Sequence, residues 1–221
     1  MLNLPSTRSL DAQVFPLSAG AGDAVWSDWR DALPLLSSAG VTLRALRESD
    51  APTLHAMLTT EEVARFISPP PTTVEGFKKF IAWTHRQQAE GKYVCFGIVP
   101  AGRKTAVGLI QVRALGTSFD VAEWGFAIGL EFWGTGLFQS SARAVIDFAF
   151  ETLNVRRLEA RAAVRNGRGN GALRKLGAIQ QGVLRKSFER NGEYLDQALW
   201  VILDSDWRID AAFHRWSPPL H

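Results

Sequence analysis

Gly134-Thr135-Gly136 is the stretch whose residue types and position best suit it to hold a charged ligand. It lies between a strand-like segment, 122–128, and an amphipathic helical segment running to about residue 153. The first N–H groups of a helix have no partners within the helix, and glycines let an anion approach the backbone closely. A phosphate group suits such a turn; the same residues also serve as a plain tight turn. Gln139 stands where a dinucleotide-binding fingerprint needs its third glycine, and no Lys-Ser/Thr pair follows as in a mononucleotide loop. Both nucleotide-fold readings are weakened.

Other reactive side chains are few. Cys95 is the only cysteine, so an intrachain disulfide is excluded, and its apolar surroundings at 93–99 point to a buried, inert thiol. His55 and His85 fall on helical segments without a second metal ligand at a suitable spacing, and His214 and His221 belong to the tail. No metal site is expected. The net charge of +3 comes from basic residues scattered among acidic ones, which excludes a nucleic-acid footprint. No basic leader with an apolar core and no run of about 18 apolar residues is present, so a cytoplasmic, membrane-free protein is expected. Eight tryptophans are read as packing residues.

Positioning the turn requires a framework, and the hydrophobic periods outline one. Residues 1–40 read as an irregular arm containing Pro5, Pro16 and Pro34. Within it Trp26, Trp29, Leu33 and Leu36 form an apolar stripe at helical spacing. From Val41 a strand is expected, then Glu48-Ser49-Asp50 as the cap of a helix through Met57. After Pro69-Pro70-Pro71, Thr72 or Thr73 caps a second helix whose buried face is Val74, Phe77, Phe80, Ile81 and Thr84, and Gly91 ends it. A hairpin of 93–99 and 106–114 follows, then the strand and helix around the glycine turn. A strand at 157–162, a short helix at 169–176 and a hairpin about Asn191-Gly192 complete the order. This order gives an α/β fold, a mixed sheet covered by helices, with a domain at 41–207 and a tail at 208–221.

Residues 122–177 resemble the GNAT acetyltransferases, especially the branch of ribosomal-protein N-acetyltransferases of the RimJ/RimL type. The resemblance is carried by Glu123-Trp124-Gly125-Phe126-Ala127-Ile128, by Glu131-Phe132-Trp133-Gly134-Thr135-Gly136, and by Asn166 with Leu173, Lys175, Leu176 and Gly177 at matching offsets. It implies a GNAT-like fold, a twisted central mixed sheet in which the strands before and after the long helix splay apart. It also implies an acetyl-CoA-dependent N-acetyltransferase, moving an acetyl group to a primary amine of a protein N-terminus or a small molecule by direct transfer in a ternary complex.

Carried onto this chain, the resemblance assigns the cofactor's pyrophosphate to the main-chain amides of Trp133, Gly134, Thr135, Gly136, Leu137 and Phe138. Phe126 and Ile128 would run beside the pantetheine arm. Asn166 would touch the cofactor from the far side, or bond its own backbone as a turn residue. Glu123 would be the general base, or a carboxylate paired with Arg113 or Arg161. The chain departs from the pattern at the general acid, with Leu173 where many members have tyrosine and Gly169 where the branch has serine. Water, Ser140 or Ser141 would then protonate the leaving thiolate. The alternative is a catalytically weak acyl-CoA-binding module with a sensing or interaction role. An acceptor pocket is expected between the first two helices and the last hairpin, including Glu189, Asn191, Glu193, Tyr194 and Asp196. A homodimer is compatible with either reading.

Overall fold

A computed structural model describes residues 28–209 except Ala39. Trp26 and the rest of 1–27, and the tail from 210 with His214 and His221, lie outside the described residues.

The chain forms β1 (Leu36–Ser38), β2 (Val41–Ala45), α1 (Ala51–Leu58), α2 (Glu61–Ala64), α3 (Val74–Ala89), β3 (Tyr93–Pro100) and β4 (Gly108–Ala114). Then come β5 (Val121–Ile128), α4 (Leu137–Glu151), β6 (Arg157–Ala163), α5 (Gly167–Lys175), β7 (Ile179–Arg190) and β8 (Glu193–Leu203). The strands make one sheet in the order β1-β2-β3-β4-β5-β6-β8-β7. Every neighbouring pair is antiparallel except β5 and β6. β3 is an almost uninterrupted apolar run because both of its faces are covered. On one face α4 seals a core of Phe96, Ile110, Ile146 and Leu158. On the other, α1 and α3 bury Leu54, Phe77 and Ile81 against Tyr93 and Leu109.

The feature that matters for function is a defect in the sheet. β5 and β6 pair only through Val121↔Arg157, Ala122↔Leu158 and Glu123↔Glu159. Beyond that point β5 stays with β4 as far as Ile128, and β6 stays with β8 as far as Ala163. The two strands diverge, as the resemblance implies, and leave unpaired main-chain groups along 124–128 facing an opening.

Several local expectations are corrected. Leu36 lies on an edge strand opposite Leu43 and not on a helix. Trp29 nevertheless packs on the core, edge-on to Phe119 with centroids 5.6 Å apart. Asp50 does not cap α1. It is fully buried and accepts two hydrogen bonds from Arg44, at 2.7 and 2.8 Å, and one each from the N–H groups of Ala106 and Arg47. Thr73 does cap α3, accepting from the Gly76 N–H at 3.0 Å. Asn191 and Gly192 take φ of 52° and 78°, the double left-handed turn the hairpin needs.

Candidate active site

The turn after β5 is built by its own short-range bonds. A 3₁₀ turn at Leu130–Phe132 brings the Trp133 N–H to the Leu130 carbonyl at 3.1 Å. The Thr135 hydroxyl donates to the Phe132 carbonyl at 2.9 Å and receives the Leu137 N–H at 3.4 Å. Gly134 and Gly136 sit at φ of 77° and 84°, and a Cβ on either would meet no heavy atom within 4 Å. Glycine is needed there for its backbone freedom and not for lack of space. The Ser140 N–H closes the first turn of α4 on Gly136. The N–H groups of Gly134, Thr135, Gly136, Phe138 and Gln139 therefore have no partner among the described residues. Trp133, expected among the donors, is removed from that set because Leu130 already holds its N–H.

Beside these donors is a cavity of about 770 Å³ whose walls include Phe126, Ile128, Trp133, Gly134, Gly136, Phe138 and Asn166; the side chains of Thr135 and Leu137 do not line it. Three cations, Arg65, Arg168 and Lys175, and one acid, Glu62, border it. The Arg168 guanidinium lies 4.1 Å from the Trp133 ring centroid and so spans from α5 to the turn. Phe126 packs against Phe138 with ring centroids 4.2 Å apart and planes tilted by 37°. The Ile128 carbonyl accepts the Trp133 indole N–H at 3.0 Å, which fixes the ring at the end of the opening.

A second cavity, of about 540 Å³, adjoins the first and shares Phe66, Ile67, Phe126, Ala127, Asn166 and Gly169 with it. Glu123 lines this second space. Its carboxylate is 2.6 Å from Arg113, its cross-strand partner, and 4.0 Å from Arg161. The two readings of Glu123 are thus not exclusive, since the paired carboxylate also borders the cavity. Asn166 caps α5, its side-chain oxygen accepting the Gly169 N–H at 2.9 Å, so the local turn role is realised.

Neither family position for the acid is filled. A Cβ at 169 would stand 2.6 Å from Asn166 Nδ2, so a serine there conflicts with the Asn166 cap. Leu173 is buried against the core. Ser140 and Ser141 line neither cavity, and the Ser141 hydroxyl is spent on the Leu137 carbonyl. Ser68, after α2, carries the one hydroxyl on the second cavity's wall, and Gln111, which receives the Tyr93 hydroxyl, joins it there. Neither was marked by any motif. The acidic hairpin residues are also relocated. Glu189 binds the Gly192 N–H, Glu193 pairs with Arg165, and Asp196 receives the Lys186 N–H; Phe188 and Gln197 face the cavity instead.

The remaining candidates are structural. His55 and His85 bond the carbonyls of Thr72 and Leu46. Burial pushes the Cys95 thiol up to about 12. No helix among the described residues is long and apolar enough to cross a membrane.

The sheet that opens between β5 and β6 beside unpartnered main-chain donors and a lined cavity is accompanied by a family match, residues 41–179 to the acetyltransferase (GNAT) domain. The chain belongs to that family and is an N-acetyltransferase. It is 27% identical over 173 residues to YoaA, an uncharacterized N-acetyltransferase of Bacillus subtilis (strain 168), covering 77% of this chain and 97% of that one. It is 23% identical over 168 residues to the spermidine N(1)-acetyltransferase of Vibrio cholerae, covering 76% and 95%. Mycobacterium smegmatis RimJ, solved in complex with CoA-disulfide, superposes with a TM-score of 0.71 at 19% identity, over 81% of this chain and 93% of that one.

Proposed function

We propose that the chain is an acetyl-CoA-dependent N-acetyltransferase that passes an acetyl group directly to a primary amine in a ternary complex, with residues 41–207 as the catalytic domain. The observation that carries the proposal is the opening between β5 and β6, with unpartnered N–H donors at one end and Glu123 in the adjoining cavity.

The residues present fit the cofactor. Donors at 134, 135, 136, 138 and 139 point outward at the start of α4, where the helix dipole favours an anion by about 0.3–1 kcal/mol per contact. Arg65, Arg168 and Lys175 add positive charge beside them. The unpaired edge of β5 at 124–128 offers an extended chain the alternating donors and acceptors of a missing strand. Bound there, acetyl-CoA supplies an acyl carbon activated as a thioester. Glu123 holds the acceptor amine and takes a proton from it, directly or through water, so that the neutral nitrogen can attack. Main-chain N–H groups of β5 polarise the acyl carbonyl. A thiol's pKa is near 8.5, so the departing thiolate is tolerable near neutral pH and takes its proton from solvent without a dedicated side chain.

The vacant acid positions Gly169 and Leu173 favour a second reading, a module that binds acyl-CoA without transfer. One experiment separates the two. Acetyl-CoA at about 100 times its dissociation constant should stabilise the protein by about 2.7 kcal/mol in a thermal-shift titration. A panel of peptides, polyamines and amino acids should then release CoA. Binding with no release from any amine supports the module, and no binding overturns both readings.

A further inference from the structure

We infer that the acceptor is a free α-amino acid with a large apolar or aromatic side chain, gripped by its carboxylate on Arg161 while its amine meets Glu123. The inference rests on the proposed transfer reaction and specifies its substrate.

The charges around the 540 Å³ cavity set the class. Two guanidiniums, Arg113 and Arg161, and one carboxylate, Glu123, line it, and no other charged side chain does. Glu123 is already held by Arg113 at 2.6 Å. A polyamine would bring two or more cations to a site whose fixed charge is positive, which disfavours binding. Two guanidiniums against one carboxylate leave a positive surplus that favours an anionic group on the acceptor. The Arg161 guanidinium makes no hydrogen bond to any described residue, its nearest acid being Glu123 at 4.0 Å, and the side chain is 37% exposed. A guanidinium with its fork free is suited to a carboxylate, which it binds through two parallel bonds.

Spacing narrows the choice. An α-amino acid carries its ammonium and carboxylate on one carbon, and Glu123 and Arg161 present the complementary charges side by side. The arriving carboxylate engages Arg161, leaving Glu123 to face the ammonium. Besides these charges and the polar side chains of Ser68, Gln111, Asn166 and Gln197, the wall is apolar and includes Leu58, Phe66, Phe77, Phe80, Trp124 and Phe188. The cluster of aromatic rings favours a large apolar side chain on the acceptor. The volume lies within the range of small-molecule sites.

The reaction balances without a further reagent. The ammonium gives one proton to Glu123. Its nitrogen then bonds to the acyl carbon as the carbon–sulfur bond breaks, and the new amide nitrogen loses a second proton. The thiolate takes up one proton and the other passes to solvent, giving an N-acetyl amino acid and the thiol.

The test compares CoA release by the full chain with phenylalanine, phenylalaninamide, a phenylalanine-initiated tripeptide and spermidine. Phenylalanine should exceed its amide in kcat/KM by about 10- to 100-fold, the worth of a charge-assisted pair. Arg161→Gln should bring that ratio towards 1 while the Kd for CoA, which reports an intact fold, is retained. Should that variant not fold, Arg161→Lys should give an intermediate ratio. Amide, tripeptide or spermidine turned over as well as phenylalanine would overturn the inference and leave amine acetylation standing. CoA release from none of the four, with release from another amine, would also overturn the inference alone. Release from no amine at all would overturn the transfer reading beneath it.

Discussion

Replacing Gly134 and Gly136 with alanine, singly and together, separates backbone conformation from side-chain contact. Both residues sit at positive φ, 77° and 84°, and neither Cβ would meet an atom within 4 Å. The change therefore introduces strain and no clash. A left-handed conformation costs a non-glycine residue about 1–2 kcal/mol. In the free protein each variant can relieve that strain by swinging the turn towards negative φ, which turns the N–H groups at 134–136 away from the cradle. Binding must then restore the strained form, so CoA affinity should fall by roughly 5- to 30-fold per substitution. Gly102, in the turn between β3 and β4, is a matched control, with φ of 79° and open space around its Cβ. Gly102→Ala should lower Tm by a similar few degrees and leave CoA affinity unchanged. Calorimetric titration with CoA supplies the readout. If the Gly134 and Gly136 variants lost stability as Gly102→Ala does and bound CoA like the parent, the cradle reasoning would be refuted.

Two further outcomes test other parts of the structure. Glu123→Gln keeps the shape and removes the base, so kcat should fall by about 100-fold or more with the Kd for CoA unchanged; unaltered turnover at neutral pH would remove Glu123 from the mechanism. Burial pushes the Asp50 carboxyl up, yet bonds from Arg44, Ala106 and Arg47 outweigh it and hold the group below its ordinary 3.8. Its stabilisation is therefore full above about pH 4 and is lost as pH falls below that towards the folded-state value. Asp50→Asn leaves the Arg44 guanidinium buried beside a neutral amide, which should cost about 3–5 kcal/mol near neutral pH and flatten the acid limb of a stability profile measured by urea unfolding.

Much of the framework was legible because its signals are local. The stripe from Val74 to Thr84, the apolar run of β3 and the Asn191-Gly192 turn each follow from a few neighbouring residues. What the periods could not convey was pairing at a distance. Nothing in the residues of β5 or β6 states that their ladder stops at Glu123 and Glu159, and that opening was foreseen only through the family resemblance. Asp50 looked like a helix cap because its main partners are Arg44, on β2, and Ala106, 56 positions away. The spacing of Trp29, Leu33 and Leu36 suits a helix, yet Leu36 gains more by pairing with Leu43 on the sheet edge. In the last hairpin, irregularities between Gln180 and Gly182 and between Leu184 and Phe188 shift the β7 register, so the side chains facing the cavity could not be counted off by twos. Trp133 was expected to lend its N–H to a ligand because the 3₁₀ turn that uses it has no sequence mark.

In the proposed function, free main-chain donors at the start of α4 hold the cofactor's phosphates and so direct its thioester into the gap between β5 and β6. Amide chemical shifts of ¹⁵N-labelled protein during a CoA titration test it most directly. The amide protons of Gly134, Thr135, Gly136, Phe138 and Gln139 should move downfield together along one saturating curve, with Gly102 unmoved. Saturable CoA binding that leaves those five amides where they were would contradict the account.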